Sequence, residues 1–449
     1  MYAPHTEHDV REMLGVIGVK SLDALAAPPR GLEMPRDLDV PPAMPESVAY
    51  QHLRELSRRN RPGDAEASFL GAGAYRHYQP PAVPYLATRS EFITAYTPYQ
   101  AEASQGSLQA IFEWQTYICL LTGLGVSNAS VYDGSTALVE GVIMASQATG
   151  SRRVAVSAGL HPGYRAVLKT YADGMGIEIV EAPLRTDGTT DIPASMDGAA
   201  ALVVQSPNFY GCIEDVAACA AAAHGAKALC IEVIVEAMSL GALKTPGESG
   251  ADIAVGEAQS FGLPVGYGGP YVGFVATTKE HVRRLPGRLV GETHDVDGRK
   301  AYVLTLQGRE QHIRRELASS NICTNQALCA LFATIYLATV GAHGLKSIAA
   351  ANMARARDLR KALLSLGGVK APFDAPFFNE FVVRLPVAAR AVADALKSDD
   401  IIAGLPLSRI GLGDERDLLV CSTELTSTDG IARFAARLKE TMEHAVAAV

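Results

Sequence analysis

A series of short apolar runs, separated by helical patterns, is the feature of this sequence that most restricts its fold. The residues between several of these runs, at Pro162–Ala172 and Ile213–His224, have helical spacing. The runs themselves have no helical period and are predicted as strands: Arg153–Ser157, Ile177–Ala182, Ala200–Gln205, Ala228–Val235, Ala251–Val255 and Tyr271–Thr277. Strands without polar alternation are buried on both faces, and strands that alternate with helices form parallel sheets. The sequence therefore predicts an α/β fold built on a large, mostly parallel sheet.

The chain is long enough for more than one hydrophobic core. Its 449 residues exceed the roughly 250–300 residues at which single cores stop growing. Prolines interrupt the chain after a first short helix, so residues 1–65 are predicted as an N-terminal arm. Residues 66–343 are predicted as the large domain, which ends at a glycine-containing break. Residues 344–449 alternate between helix and strand and are predicted as a small C-terminal α+β domain.

Composition and charge exclude several classes of protein. The formal net charge of −8 offers no broad basic surface for nucleic acid. The N-terminus has neither the basic nor the apolar segment of a signal peptide. The apolar stretch from Ala327 to Ala342 is shorter than the roughly 20 residues of a membrane-spanning helix and is predicted as a buried helix. Because the seven cysteines are scattered and form no C-x-x-C pair, we expect a cytoplasmic protein. The net charge and the short apolar stretch further predict that it binds neither nucleic acid nor membrane.

Motifs for several common kinds of site are missing from the sequence. Gly71-x-Gly73 lacks the third glycine of a dinucleotide fingerprint, and the histidines have no spacing suited to a metal, so no metal site is predicted. Asp133-Gly134-Ser135-Thr136 places hydroxyl groups at the start of a predicted helix, where backbone N–H groups attract anions. The same residues also suit a plain capped helix, which the local sequence favours.

Two polar segments carry more hydrogen-bonding groups than a turn or a helix cap requires. The first is a proline-stiffened loop that suits either ligand binding or a packed crossing between arm and core; its polar residues include Tyr96, Thr97, Tyr99 and Gln100. The second precedes the apolar helix and includes Asn321, Thr324, Asn325 and Gln326. Thr324 or Asn325 also suits a simple helix cap. The size of the second group favours contact with a ligand or a partner.

Segments spread over nearly the whole chain resemble the glycine dehydrogenase (decarboxylating) family, the P-protein of the glycine cleavage system, and specifically its subunit 1, the α half of the two-chain form. They are Phe69–Tyr78 (FLGAGAYRHY), Arg89–Gly106 (RSEFITAYTPYQAEASQG), Tyr132–Leu138 (YDGSTAL), Pro207–Asp215 (PNFYGCIED), Ala251–Pro270, Leu285–Glu292 (LPGRLVGE) and Gln311–Leu328. The resemblance implies the fold-type-I architecture of pyridoxal-phosphate (PLP) enzymes. In that fold a large, mostly parallel sheet domain is followed by a small C-terminal α+β domain.

The chemistry that the resemblance implies depends on one lysine, because PLP enzymes hold their cofactor through a lysine imine. In the family's β half, this lysine lies in a His-Lys pair just before a glycine-rich turn. The matching residues here are Gln259 and Ser260, ahead of Gly266–Pro270, and neither can form the imine. Lys244 is the nearest substitute in the sequence. The resemblance thus implies a chain without its own Schiff-base lysine.

The resemblance further implies a vestigial cofactor pocket. Ser135 and Thr136 resemble the phosphate-binding start of a helix, and His161 lies near the position of the histidine that stacks on the cofactor ring. Glu236 lies in the region of the acid that contacts the pyridine nitrogen. The resemblance also implies an ionic contact at position 317, where the family usually has a basic residue and this chain has Leu317.

As one half of a two-chain enzyme, the chain is expected to complete an active site in its partner. The resemblance implies that subunit 2 (β) holds PLP covalently and that the chains assemble as α2β2. Together they would decarboxylate glycine and transfer the aminomethyl group to the lipoyl H-protein. The residues expected to reach the partner's site are Tyr96, Thr97, Tyr99, Gln100, Asn321, Thr324, Asn325 and Gln326.

Two alternatives from other classes remain open. The first is a self-sufficient PLP enzyme, such as an aminotransferase or an amino-acid decarboxylase, that uses Lys244. Visible cofactor absorbance of the isolated chain, abolished by Lys244→Ala, would favour it. The second is a non-catalytic scaffold that stabilises subunit 2 and docks the H-protein. It predicts that alanine at Tyr96 and Tyr99 leaves turnover unchanged.

Overall fold

The structure is a computed structural model that describes residues 4–29, 31–32, 39–60, 67–318 and 320–447. The chain separates into two compact units, residues 1–62 and 63–449. The first unit contains helices α1 (Glu7–Ile17), α2 (Leu22–Leu25) and α3 (Glu46–Ser57). A capping box begins α1: Asp9 N donates to Thr6 Oγ1, and Thr6 N donates to the Asp9 carboxylate. The predicted end of the arm at residue 65 lies outside the described residues and stays a prediction.

The second unit alternates helices with strands along most of its length. Its helices are α4 (Ala82–Ala87), α5 (Ser90–Ile93), α6 (Gln105–Thr122), α7 (Gly134–Thr149), α8 (Pro162–Met175), α9 (Val216–Gly225), α10 (Gln311–Arg314), α11 (Ala327–Leu364), α12 (Ala389–Leu396) and α13 (Thr428–Ala447). Its strands are β1 (Ala67–Ser68), β2 (Val126–Ser127), β3 (Arg153–Ser157), β4 (Glu178–Ala182), β5 (Ala201–Gln205), β6 (Leu229–Ile234), β7 (Ile253–Glu257), β8 (Gly273–Thr277), β9 (Val290–His294), β10 (Lys300–Leu304), β11 (Glu380–Arg384), β12 (Ile401–Ile402), β13 (Leu405–Pro406) and β14 (Asp417–Cys421).

The main sheet has seven strands in the order β2-β8-β7-β6-β5-β3-β4. Strands β3 to β7 are parallel, whereas β8 runs antiparallel to β7 and β2 runs antiparallel to β8. Every residue of β5 and β7 is buried, as the unbroken apolar runs predicted. Strand β7 begins two residues later than predicted, because Ala251 still belongs to the preceding turn, where its N–H donates to Pro246 O.

Helices cover both faces of this sheet. Helices α7 and α8 pack on one face, where Gly141 lets α7 approach closely: a Cβ there would lie 2.9 Å from Val255 Cγ1. Helices α6 and α11 pack on the other face and bury Trp114 and Tyr336 completely. The parallel strands are therefore enclosed between two helical layers, and only their edges remain for a site.

Helix α11 is longer than the apolar stretch that predicted it. It spans 38 residues and is kinked at Gly341, where φ is +61°. By length and composition alone it could cross a membrane, and 44% of its most apolar window is buried within the protein. Because Leu337 and Leu345 pack in the same core as Tyr336, we interpret α11 as a core helix. The predicted domain boundary between residues 343 and 344 lies inside α11 and stays a prediction.

The C-terminal part of the second unit has its own core around the antiparallel sheet β11-β14-β13. Helices α12 and α13 cover this sheet. Strand β1 pairs with β12, and the Phe69 ring stacks on Phe434 with 4.3 Å between the ring centroids. The chain enters the unit through this small core and then passes to the edge of the main sheet.

Candidate functional site

The carboxyl edge of the parallel strands is crossed by one stretch of chain, residues 71–79, which we call the crossing segment. In open α/β sheets this edge is where ligands bind. Glu257 ends β7, Glu236 follows β6, and His161 precedes α8. The crossing segment forms hydrogen bonds to His161, Gln259 and Glu236, so it lies where a ligand of this sheet would be expected.

Gln259 and Ser260 occupy the position implied for the Schiff-base lysine. Tyr75 N donates to Gln259 Oε1 at 2.9 Å, and Gln259 Nε2 donates to Tyr75 O at 2.9 Å and to Leu263 O at 2.8 Å. The amide is buried and its hydrogen bonds go to main-chain groups. Ser260 is buried as well, and its Oγ has no partner among the described residues. This position thus anchors the crossing segment.

Glu236, expected near a pyridine nitrogen, is paired with a histidine of the crossing segment. Glu236 Oε2 lies 3.1 Å from His77 Nε2 and accepts a hydrogen bond from Asn379 Nδ2 at 3.0 Å. The other ring nitrogen, His77 Nδ1, lies 2.8 Å from Glu424 Oε2. Burial opposes the charge on His77, but the two carboxylates outweigh it and raise the pKa of His77 to about 10. His77 is therefore a buried imidazolium that satisfies Glu236 from within the chain.

The start of α7, expected to bind phosphate, is occupied by two carboxylates of the chain. Gly134 N donates to Glu257 Oε2 at 3.0 Å, and Thr136 N donates to Asp133 Oδ1 at 2.8 Å. Ser135 Oγ also donates to Asp133 Oδ1, at 2.7 Å. Burial raises the pKa of Glu257 to about 8, although the N–H groups of Gly134 and Val272 lower it. The local sequence's preference for a capped helix agrees with this geometry.

His161, expected to stack on a cofactor ring, contacts protein on several sides. Gly163 N donates to its Nδ1 at 3.1 Å, so Nε2 carries the proton and donates to Ala72 O at 3.0 Å. Its ring centroid lies 5.1 Å from that of Phe209. The crossing segment lies so close that a Cβ on Gly73 would be 2.6 Å from His161 Nε2. Burial lowers the pKa of His161, which favours a neutral ring.

PLP requires an imine-forming lysine, N–H donors for its phosphate and an acid at its pyridine nitrogen. Gln259 stands at the position of the lysine. At the phosphate position, Glu257 already accepts the hydrogen bond from Gly134 N. At the position of the pyridine nitrogen, His77 already binds Glu236. The residues at this edge therefore do not fit PLP. They form a hydrogen-bonded network within the chain instead.

Several members of this network were missed by the sequence analysis. Tyr75 Oη donates to Glu380 Oε2 at 3.0 Å, while Ala72 N donates to Glu380 Oε1 at 2.7 Å. Burial raises the pKa of Glu380 to about 8. The sequence did contain a signal for these buried acids, a glutamate at one end of an apolar strand. Glu257 ends such a strand, and Glu380 begins one. Such residues must find partners when they are buried.

The two polar segments predicted to face a partner lie beside each other. A cavity of about 220 Å³ is lined by the loop around Tyr96 and Thr97 and by the start of α11, including Leu328 and Leu331. Tyr96 and Tyr99 are 75% and 76% exposed, and Gln100 is exposed too. Thr97 is buried, and its Oγ1 has no partner among the described residues. The loop therefore presents two aromatic side chains outward from a buried anchor.

The second segment is partly committed to contacts within the chain. Asn325 Nδ2 donates to Ala129 O at 2.9 Å, and Gln326 N donates to Ser130 Oγ at 3.1 Å. The N-cap of α11 is Gln326, without a side-chain cap, so the simple-cap interpretation of Thr324 or Asn325 is wrong. Asn321 is exposed, and Thr324 is half-buried. Asn321 is the member of this group best placed to contact another molecule.

Lys244 lies away from this edge. It is exposed in the loop that precedes β7, and the same loop is tied to the end of α6, where Gly247 N donates to Thr122 O at 2.8 Å. Gln259 follows the opposite end of β7, and a strand of this length spans about 16 Å. The geometry therefore counts against Lys244 as an imine-forming residue at the carboxyl edge. In the part of the chain that the structure describes, no group of His, Cys, Asp and Glu could hold a metal ion.

Comparisons with known proteins agree in one family. The sequence matches the family Glycine cleavage system P-protein over residues 1–437. A relative from Moorella thermoacetica, named probable glycine dehydrogenase (decarboxylating) subunit 1, is 48% identical over 443 residues, 98% of this chain and 99% of the relative. A protein of the same name from Anaeromyxobacter dehalogenans is 48% identical over 446 residues, with the same coverage of both chains.

Solved structures show the same relationship at the level of the fold. Glycine decarboxylase (P-protein) of the glycine cleavage system, in inhibitor-bound form, has a TM-score of 0.90 at 46% identity and covers 98% of this chain and 100% of its own. A sphingosine-1-phosphate lyase from Burkholderia pseudomallei has a TM-score of 0.66 at 16% identity, over 92% of each chain, and shares the fold alone. The predicted fold-type-I architecture is thus confirmed. The chain belongs to the glycine cleavage system P-protein family, in the group named glycine dehydrogenase (decarboxylating) subunit 1.

Proposed function

We propose that this chain is the lysine-free α subunit of a two-chain, cytoplasmic glycine decarboxylase. Subunit 2 (β) would hold PLP covalently and supply the Schiff-base lysine, and the chains would assemble as α2β2. The assembled enzyme would release CO2 from glycine and transfer the remaining aminomethyl group to the lipoyl H-protein. The cofactor, bound in the partner, would supply the electron sink for decarboxylation.

The observation that carries this proposal is the filled carboxyl edge of the sheet. A family member that decarboxylated glycine alone would need a lysine and a free phosphate site in its own pocket. Here the buried Gln259 amide is tied to Tyr75, and the start of α7 is occupied by Glu257. The chain's contribution must then lie elsewhere on its surface.

The exposed loop around Tyr96 supports a contribution to the partner's site. Exposed tyrosines combine an apolar ring with a hydroxyl that donates and accepts, and they lose little conformational entropy on binding. Tyr96 and Tyr99 have most of their surface exposed, and Asn321 is exposed on the neighbouring segment. We assign these three residues to contact with the partner, and the buried Thr97 to anchor the loop that carries the two tyrosines. Asn325 and Gln326 are assigned to support the second segment, since they already bind Ala129 and Ser130. Gln100, which is exposed, and Thr324 keep the role of contacting the partner.

The first test asks whether the chain needs its partner. We expect the isolated chain, incubated with PLP, to show neither visible cofactor absorbance nor exchange of labelled CO2 into glycine. Co-expression with a subunit 2 should restore both. Lys244→Ala serves as the control, and it should leave the complex fully active because Lys244 lies away from the carboxyl edge. Glycine decarboxylation by the isolated chain would contradict the proposal.

The second test concerns the loop. In the complex, we expect Tyr99→Phe and Asn321→Ala each to lower the rate of glycine decarboxylation about tenfold, the usual effect of one lost hydrogen bond to a charged group. Tyr85→Phe is a matched control, because Tyr85 is also 70% exposed but lies on α4 outside both segments. If both variants keep full activity while the complex still assembles, the scaffold alternative is favoured.

A further inference from the structure

A second cavity lies outside the pocket described above and has a different chemistry. Its volume is about 450 Å³, within the range of sites for small molecules. Three arginines and two leucines contribute to its wall, which consists of Arg283, Leu306, Gly308, Arg309, Arg314 and Leu317. None of these residues takes part in the network at the carboxyl edge or in the two segments proposed to face the partner.

Arg309 is the central group of this cavity. Its Nη1 donates to Leu285 O, whereas its Nε and Nη2 are buried and have no partner among the described residues. Burial lowers the pKa of Arg309, but an arginine remains charged in proteins. The edge formed by Nε and Nη2 is the pair of parallel donors that binds a carboxylate or a phosphate in two-point fashion. An unpaired edge of this kind is costly when it is buried, and an oxyanion would satisfy it.

Among the described residues, the neighbouring Glu310 forms no hydrogen bond to the free edge of Arg309. Within the part of the chain that the structure describes, Glu310 Oε1 is itself buried without a hydrogen-bond partner, and Glu310 Oε2 lies 3.7 Å from His312 Nδ1. Arg288 Nη1 is likewise buried and unpaired among the described residues. The single negative charge of Glu310 is therefore outnumbered by the arginines in and beside the wall of the cavity. Leu306 and Leu317 add apolar surface beside that charge.

We propose that this cavity binds a small oxyanion, a carboxylate or phosphate that carries an apolar portion. Because Arg309 Nε and Nη2 are covered by protein, the guanidinium would turn toward the cavity to give the anionic group two hydrogen bonds. Arg283 and Arg314 would add attraction from the wall, and the leucines would contact the apolar portion. This inference does not depend on the proposed function, because it concerns a site on the isolated chain.

The first experiment identifies the ligand chemistry by isothermal titration of the full-length chain. The probes are inorganic phosphate, hexanoate and the neutral hexanamide. We expect phosphate, hexanoate or both to bind with a dissociation constant in the millimolar range or below, and hexanamide to bind at least tenfold more weakly than the better anion. Binding of phosphate alone would identify a phosphate site, and binding of hexanoate alone a carboxylate site. The proposal is overturned if neither anion binds at about 10 mM, the weakest range of interest. It is also overturned if hexanamide binds as tightly as the better anion.

The second experiment assigns the binding to this cavity. Arg309→Gln should weaken binding about tenfold, since it removes a charge-assisted, two-point contact. Arg314→Gln, at an exposed position, should weaken it about threefold, and Leu317→Lys should strengthen it about threefold. Arg390→Gln, on the exposed face of α12, is the matched control. If Arg309→Gln fails to fold, the opposite effects of Arg314→Gln and Leu317→Lys still decide. The assignment is overturned if Arg390→Gln and Arg314→Gln lose the same amount of affinity for the anion, or if no variant changes that affinity.

Discussion

His77→Ala is expected to lower the free energy of unfolding by about 3–5 kcal/mol, the usual result of removing one partner from a buried ion pair. The histidine lies between Glu236 and Glu424, at 3.1 and 2.8 Å. Without the imidazolium, two buried carboxylates remain without their shared counter-charge. Asn379, Asn352 and main-chain N–H groups bind these carboxylates but carry no charge. The effect should appear as a lower midpoint in urea unfolding followed by circular dichroism.

A histidine on the surface provides the matched control. His224 Nε2 lies 2.8 Å from Asp252 Oδ2, and about half of its side chain is exposed. His224→Ala should cost less than about 1 kcal/mol, as exposed pairs usually do. The double variant His77→Gln with Glu236→Gln should recover part of the stability that His77→Gln loses, since it removes one of the stranded charges. A His77→Ala protein as stable as His224→Ala would contradict the charged state that we assign to His77.

The role of His77 explains how a PLP-enzyme fold is stabilised when the residues at its carboxyl edge do not fit PLP. In PLP enzymes the pyridine nitrogen of the cofactor pairs with an acidic side chain. The phosphate of the cofactor is the anion that binds at the start of a helix. Here His77 provides the positive charge, and Glu257 accepts the hydrogen bond from Gly134 N at the start of α7. Gln259 holds the crossing segment in place through Tyr75. Without the crossing segment, Gln259 and Glu236 would lose the hydrogen-bond partners that it gives them.

The main sheet was predictable because its signal is local. A strand such as β5, buried along its whole length, appears in the sequence as an unbroken apolar run. The start of α7 was also visible, since Asp133 and Thr136 form a capping box within four residues. Each of these features depends on neighbours in the chain. The sequence alone therefore indicated six of the seven strands and a largely parallel sheet, but neither strand β2 nor the strand order.

The pairing of distant polar groups was not predictable from local patterns. His77 and Glu424 are 347 positions apart, and nothing near either residue indicates the other. Asn325 looked like a helix cap, but its amide donates to Ala129, 196 residues away, after the chain has folded. The position of Gln259 came from the family resemblance, whereas its hydrogen bonds to Tyr75 came from the structure. Candidate sites could thus be located, but their partners could not.

Gly211→Ala is expected to have the second large effect, a loss of about 3–5 kcal/mol in the free energy of unfolding, because strain and overlap add. Gly211 has φ of +87°, a conformation that residues with a Cβ rarely adopt. Any Cβ there would also overlap the main-chain carbonyl of Glu380, which cannot move without shifting β11. Gly225→Ala is the matched control, since no atom lies within 4 Å of its Cβ position in α9. It should be neutral or stabilising by up to about 1 kcal/mol.

The same substitution tests whether the crossing segment depends on this contact. Glu380 accepts hydrogen bonds from Ala72 N and from Tyr75 Oη, so a displaced β11 should loosen both. Hydrogen exchange measured by mass spectrometry should therefore speed up in peptides that cover residues 70–79 of Gly211→Ala, and remain unchanged in Gly225→Ala. If Gly211→Ala unfolds at the same urea concentration as the unaltered protein, the main chain at Gly211 does not lie as close to that of Glu380 as described. If it is destabilised without faster exchange at residues 70–79, the link from Glu380 to the crossing segment is wrong.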